Sequence, residues 1–460
     1  MDPVVVKREE HCLSRQNISQ EALRVLYGLK EAGYVSYIAG GGVRDLLLGR
    51  KPKDFDVVTD ATPNEVRRVF RNCRLIGRRF RLAHVFFGPK IVEVATFRSD
   101  QVPDDTEEGR TGTHQVTSDD GVIVRDNLFG TPEQDAHRRD FTVNALFYNI
   151  RDYSVIDYVG GLADLQARLM RFIGDPRVRC VEDPVRMIRA VRFAAALEFG
   201  FDPATEEAIR AESGKLALAN RSRLYEEVQK LFFSGAAQRA YILLREFGLF
   251  EMLFPEMGSW LGPKAGTPQC QRISAALKQV DEWRHAGREV SPALLFALMF
   301  GGMHEAQAGA LSAQGQHRGL ALHSVTLDHF GGLTERVQVP KMVRYRSAEI
   351  LASQPRLTAE GGVRARPLAT RAFFPEAVAY LEFMVRFTGE HRDALEHVQS
   401  IPWEPRAEHD FVPGRSPRGG SESGRRGRRG RRSRAPRGAA PSGGEDSAAS
   451  PGPGPGSRDE

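Results

Sequence analysis

Two aspartates, Asp54 and Asp56, stand two residues apart in the run Lys-Asp-Phe-Asp-Val-Val-Thr-Asp. At the period of a β-strand both project from one face, a few ångströms apart. Like charges so placed repel unless a cation lies between them. Magnesium prefers oxygen ligands and keeps substrate phosphates and waters. Two such ions activate an attacking hydroxyl and steady a leaving pyrophosphate. Alone, an Asp-x-Asp is more often a solvated strand face. The preceding Gly40-Gly41-Gly42-Val43-Arg44-Asp45 changes that reading. Glycines let backbone N–H groups meet an anion at a helix start, and Arg44 can reach the same phosphates. The two elements together point to chemistry on a metal-bound nucleoside triphosphate.

Further candidates lie downstream. Glu93, on a neighbouring strand, can supply a third carboxylate, or can be an exposed strand glutamate. Arg138-Arg139-Asp140 precedes an apolar run that contains Asn144. Two guanidiniums beside an acid suit triphosphate and ribose contacts; the bland alternative is a solvated charge cluster. Glu182-Asp183-Pro184-Val185-Arg186 and its continuation through Arg189, Arg192 and Phe193 read as one helix with Pro184 in its first turn. Asp183 and Arg186 then share a face and can read a base edge without a nucleic-acid template. Otherwise they form a surface ion pair worth a few tenths of a kcal/mol. Arg78, Arg79 and Arg81 flank Phe80, a basic and aromatic mixture suited to nucleic acid or to a plain basic loop.

These residues need a scaffold. Ser19 starts a helix over 18–32 that Gly33 stops, and 34–39 reads as a strand. A short helix over 43–48 and a strand at 55–58 follow. Thr62 and Pro63 open another helix, and 74–76, 83–87 and 90–97 read as strands. The polar stretch 99–135 reads as a mobile insertion, and 150–160 as a hairpin closing at Gly160-Gly161. Helical patterns then dominate to about 400. The expected architecture is α+β, with a loose leader at 1–16, an α+β head at 17–150, a helical neck at 151–255, a helical body at 256–405 and a disordered tail at 406–460.

The 460-residue chain carries a formal net charge of +6. From Arg415 to Glu460 there are eleven arginines against five acids, so the tail alone accounts for that surplus. Its Arg425, Arg426, Arg428, Arg429, Arg431 and Arg432 suit sequence-independent contact with phosphates. Four scattered cysteines (12, 73, 180, 270) suggest reduced thiols rather than a disulfide framework or a zinc site. With no secretory h-region and no apolar run long enough to span a membrane, a cytoplasmic protein is expected.

Taken together, the motifs over about 20–255 resemble the class II nucleotidyltransferases of the DNA polymerase β superfamily, which join bacterial poly(A) polymerases and CCA-adding tRNA nucleotidyltransferases. Gly40-Gly41 through Asp56 is similar to the metal-binding motif, Arg138 to Leu146 to the ribose and phosphate motif, and Gly160 to Asp175 to the flexible hinge. Glu182 to Arg186 is similar to the amino-acid template in which Asp183 and Arg186 pair with the incoming base. The segments 75–85 and 93–98 and the Arg-rich tail resemble the poly(A) polymerase I branch.

The resemblance implies a polymerase-β-like head with a small mixed sheet, followed by an all-α neck and body. It implies transfer of AMP from ATP to RNA 3′ ends without a template, promoting RNA turnover. Two Mg2+ ions would sit on Asp54 and Asp56, with Glu93 or Asp140 completing the acidic set. Gly40, Gly41, Arg44, Arg139, Asn144 and Arg189 would lie around the nucleotide. RNA-decay machinery is the partner that the resemblance makes plausible. A CCA-adding enzyme, and a non-catalytic RNA-binding protein on a transferase scaffold, are the rival expectations.

Overall fold

The computed structural model describes residues 2–77, 81–99, 129–359 and 364–404, and the backbone of 116–117 and 123–125. The head is built from β1 (Val4–Val6), α1 (Gln20–Glu31), β2 (Ser36–Ala39), α2 (Gly41–Leu47), β3 (Asp56–Thr59), α3 (Pro63–Val69), β4 (Cys73–Ile76), β5 (Leu82–Phe87) and β6 (Lys90–Thr96). Then come β7 (Val116–Thr117), β8 (Ile123–Arg125), α4 (Pro132–His137), β9 (Leu146–Asn149) and β10 (Val155–Asp157). Eight strands form one mixed sheet in the order β1-β10-β9-β2-β3-β6-β5-β4. Only β3 and β6 run parallel within it.

Local chemistry sets the boundaries. Ser19 caps α1 by accepting from the Ala22 N–H, and Gly33, at φ 90°, ends it. Thr62 and Glu65 make a reciprocal capping box on α3, with Pro63 at its first position. Alternation in the strands splits the core. Ile38, Val57, Val94 and Tyr148 join α1 in the main cluster, whereas Ala39, Val58 and Phe147 pack on the opposite face with Phe97 and Ala145.

Two expectations differ from what is seen, and a third lies largely outside the described residues. The leader is not all loose, because Val4–Val6 pairs with β10 as an edge strand. The hairpin near 150–160 is formed by β9 and β10, and Gly160 and Gly161 instead open a helix. Gly161 is required there: a Cβ would lie 2.2 Å from the Thr142 carbonyl oxygen. The insertion expected at 99–135 falls largely outside the described residues. Inside it, β7 pairs with β8, and Thr131 caps α4.

The neck begins with α5 (Gly161–Ala167), β11 (Leu169–Met170), α6 (Pro176–Glu182), α7 (Val185–Leu197), β12 (Gly200–Phe201), α8 (Pro203–Glu212) and α9 (Arg221–Phe232). Helices α10 (Ala237–Glu246) and α11 (Leu249–Leu253) complete the neck, and α12 (Pro255–Leu261), α13 (Pro268–His285), α14 (Pro292–Ala313), α15 (Arg318–Leu333), α16 (Lys341–Leu357), α17 (Phe374–Thr388) and α18 (Arg392–Gln399) form the body. The main core runs without a break from α1 of the head to Val398 in α18. Head, neck and body therefore share one continuous apolar interior. Among the described residues no helix is long and apolar enough to cross a membrane.

Candidate active site

Gly40 caps α2 with φ 73° and ψ −132°, a backbone state that side chains resist. A Cβ there would also come within 3.0 Å of Arg139 Nη1 and 3.3 Å of the Asn144 carbonyl. The glycine is thus needed both for the turn and for the close approach. Asn144, nearly buried, organises two arginines. Its side-chain oxygen accepts from Arg44 Nη1 at 2.5 Å, and its backbone oxygen accepts from Arg139 Nη1 at 3.3 Å. Arg44 is also held by Asp45, and Arg139 by Asp135.

Asp56 opens β3 directly opposite Ala39, the residue before Gly40. Asp54 precedes the strand rather than lying in it. Both carboxylates are exposed by surface area. Asp56 nevertheless sits where surrounding protein strips much of its hydration. Its carboxyl is pushed up to about 6, first by burial, then by the charges of Asp54 and Glu93, with Arg139 pulling the other way. The parallel register pairs Val57 with Val94, so Glu93 stands beside Asp56. It shares that row with His84, whose Nε2 lies 3.6 Å from Glu93 Oε1.

The acids fit a divalent cation. The charges of Asp54 and Glu93 raise the proton affinity of Asp56, and a cation bound there would relieve it. Among the described residues no three His, Cys, Asp or Glu side chains could hold a metal by themselves. Substrate phosphate and water would have to complete the coordination, as magnesium prefers.

Asp140 has a different partner. Arg189 Nε and Nη2 lie 2.7 and 2.6 Å from its Oδ2. Burial by itself would raise the Asp140 carboxyl, but the charge and hydrogen bond of Arg189, helped by Arg186, hold it below the usual range. Arg189 also approaches Glu227 at 3.6 Å, and Arg192 lies 3.3 Å from that same glutamate.

The segment expected to read the base is two helices, not one. A residue before proline is driven out of the α region, and Asp183 adopts φ −146° and ψ 91° ahead of Pro184. Helix α6 ends, the chain turns, and α7 starts at Val185. The side chains of Asp183 and Arg186 are not paired; the two residues meet only through the backbone, where the Arg186 N–H donates to the Asp183 carbonyl at 2.9 Å. The Asp183 carboxylate accepts two hydrogen bonds from Arg223, at 3.0 and 2.7 Å, while Arg186 Nη1 donates to Glu182 at 2.7 Å and to the Arg179 carbonyl at 3.1 Å. Arg179 in turn donates to the carbonyls of Arg138 and Arg139, tying α6 to the phosphate motif.

The structure thus gathers Gly40, Arg44, Arg139 and Asn144 in one cluster, Asp54, Asp56 and Glu93 in a second, and Asp140 with Arg189 in a third. Asp183 and Arg186 keep separate partners. Arg81 is exposed. Arg78, Arg79 and the tail arginines 425, 426, 428, 429, 431 and 432 lie outside the described residues. Sequence reasoning missed Asp135, Arg223 and Glu227. Arg223 and Glu227 sit at i and i+4 on α9, whose Asn220 cap accepts from the Ser222 and Arg223 N–H groups. That spacing is a usable signal, though too common to single out by itself.

Comparison with known proteins adds three family matches in order along the chain. These are the poly A polymerase head domain at 36–171, the probable RNA and SrmB-binding site of polymerase A at 198–261, and the polymerase A arginine-rich C-terminus at 314–437. The poly(A) polymerase I of Salmonella typhimurium is 44% identical over 382 residues, covering 82% of this chain and 81% of that protein. A CCA-adding enzyme of Lactobacillus johnsonii is 35% identical over 230 residues, 50% of this chain and 54% of that protein. Among solved structures, a Bacillus stearothermophilus CCA-adding enzyme in complex with CTP matches with TM-score 0.55 and 28% identity, over 83% of this chain and 81% of that one.

Proposed function

The chain belongs to the poly(A) polymerase family, and we infer from this that it transfers AMP from ATP to RNA 3′-hydroxyls without a template, releasing pyrophosphate. The observation that carries the reading is 44% identity to a poly(A) polymerase I across four-fifths of both chains.

Within that activity, the residues divide the work. Gly40, Gly41, Arg44 and Arg139 surround the space that suits a triphosphate, with Asn144 fixing both arginines. Asp54 and Asp56 would hold two magnesium ions, with Glu93 beside them. Those ions, when bound, lower the pKa of an attacking hydroxyl and neutralise the leaving pyrophosphate. Asp140 acts through Arg189, which it orients beside the site. Asp183 and Arg186 would read the adenine edge from rigid positions, each preset by its own partner. Such preorganisation substitutes for a template strand.

The matched RNA-binding region and the Arg-rich tail suit a primer held by its phosphates, without choice of sequence. RNA-decay proteins are plausible partners. Four free cysteines fit a reducing compartment such as the cytoplasm.

The test is incubation of the pure protein with ATP as sole nucleotide and a generic RNA. Long adenylate tails are expected. A single adenylate added only to tRNA ending in CC would identify a CCA-adding enzyme instead. RNA binding without incorporation would identify a non-catalytic module.

A further inference from the structure

Phe193 carries no charge and moves no proton, yet three site arginines converge on its ring. The guanidinium carbons of Arg192, Arg44 and Arg189 lie 4.2, 5.2 and 5.7 Å from its centroid. Phe141 meets the ring edge-on, at 5.7 Å and 76°. Arg189 and Arg192 belong to the same helix, so their proximity follows from helical geometry alone. Arg44 does not. It stands on α2, beside the phosphate-facing glycines, and reaches the ring from the head.

Three of the five Arg44 N–H donors are already committed. Nε and Nη2 donate to Asp45, and Nη1 donates to Asn144. One N–H on each of Nη1 and Nη2 is left over for an anion, and the guanidinium itself lies over the Phe193 ring of α7. An aromatic face attracts cations through its quadrupole, most strongly where water is scarce. Arg44 is nearly buried. The ring therefore lets three positive side chains from two elements stand together, with Asp45, Asp140 and Glu227 at their outer ends.

We propose that Phe193 is a positioning residue that couples the triphosphate cradle on α2 to the base-reading end of α7. It holds Arg44 in register with the helix that begins just after Asp183 and carries Arg186. Phosphate alignment and base choice then share one rigid spacing. The proposal rests on the nucleotide site assigned above. Its consequence is specific: the effect depends on the electron density of the ring face, not its volume, and it falls on ATP rather than on RNA.

Stepwise fluorination separates those quantities. Phe193 is replaced by 4-fluoro-, 3,5-difluoro- and 3,4,5-trifluorophenylalanine, which change size little and weaken the face progressively. Three measurements follow on the full-length protein: kcat/KM for ATP, KM for an RNA primer, and affinity for a fluorescent ATP analogue without RNA. We expect ATP kcat/KM and analogue affinity to fall together at each step, reaching about tenfold for the trifluoro ring, the size of a largely desolvated cation–π contact. The RNA KM stays constant, while Tm falls only slightly as the native contact weakens. A flat series, or an RNA KM that worsens in step with the loss of ATP kcat/KM, overturns the coupling role. Phe193→Leu combined with Arg44→Lys gives a second measure, and fully additive effects on analogue affinity overturn it too. If the unmodified protein binds the analogue but incorporates no AMP, the functional reading fails while the binding series still decides the coupling.

Discussion

Replacing Arg223 by Met tests how Asp183, the proposed base-reading acid, is held. In the structure Arg223 makes a two-pronged bond to Asp183, at 3.0 and 2.7 Å. The arginine side chain is 42% exposed and the aspartate 23%. A charge-assisted hydrogen bond contributes about 1.5–3 kcal/mol when shielded from water. Partial exposure screens this pair, so about 1–2 kcal/mol is the better expectation. Met keeps much of the stem's apolar packing and removes the fork. Released, Asp183 samples rotamers that no longer meet an adenine edge. At about 1.4 kcal/mol per tenfold, kcat/KM for ATP should fall roughly 5- to 30-fold. The fall for CTP should be smaller, because a mismatched base gains less from the fixed carboxylate. Arg223→Met would therefore lose discrimination as well as rate. The assay is single-nucleotide incorporation on one RNA primer with ATP and CTP in separate reactions, alongside a melting curve. An unchanged ATP-to-CTP ratio, with kcat/KM lowered equally for both, would refute the claim that Arg223 positions a base reader.

Further outcomes follow from other parts of the molecule. Asp54→Ala should lower AMP incorporation by about a thousandfold or more while RNA binding in a filter assay survives; retained incorporation would sink the metal assignment. Deleting 415–460 should weaken RNA binding and reduce its salt slope by about 0.7 for each phosphate that the tail arginines no longer neutralise, measured by titration at several salt concentrations. The body should lose stability in mild acid. His304 and His329 are buried together, with His304 Nε2 2.9 Å from His329 Nδ1. Burial pushes His329 down to about 4 and His304 well below 6.5, although Glu256 stands 3.3 Å from His329. Both are neutral when folded and take up protons when unfolded. Their stabilisation is thus complete above about pH 6.5 and drains away as pH falls towards 4, by about 3 kcal/mol for His329. Urea melts across that range should show the loss, and His329→Gln should flatten it.

Much of the head was legible because its signals are local. Ser19, Thr62 and Pro63 announce their helices through hydrogen bonds and fixed torsions that involve near neighbours only. Glycines at 40 and 41 before a pair of aspartates suggest phosphate and metal from equally local spacing. The resemblance built on them named the family that the comparisons bear out. Val4–Val6 was hidden because an edge strand depends on a partner some 150 residues away. The helix break at Asp183 was written in Pro184, but the apolar spacing of α7 masked it.

What the sequence determined by itself is the kind of chemistry: residue types and short spacings identified a nucleotidyltransferase and nominated the glycines, arginines and acids proposed to handle its triphosphate and cations. Only the tertiary structure decided which charge answers which. Asp140 turns to Arg189, Asp183 to Arg223 and Arg186 to Glu182, rather than Asp183 to Arg186. The Asp54–Asp56 pair gains Glu93 through a parallel strand register. The reason is physical: an ion pair is chosen by distance and desolvation after the helices have packed, and neither is written in the spacing of residues along a chain.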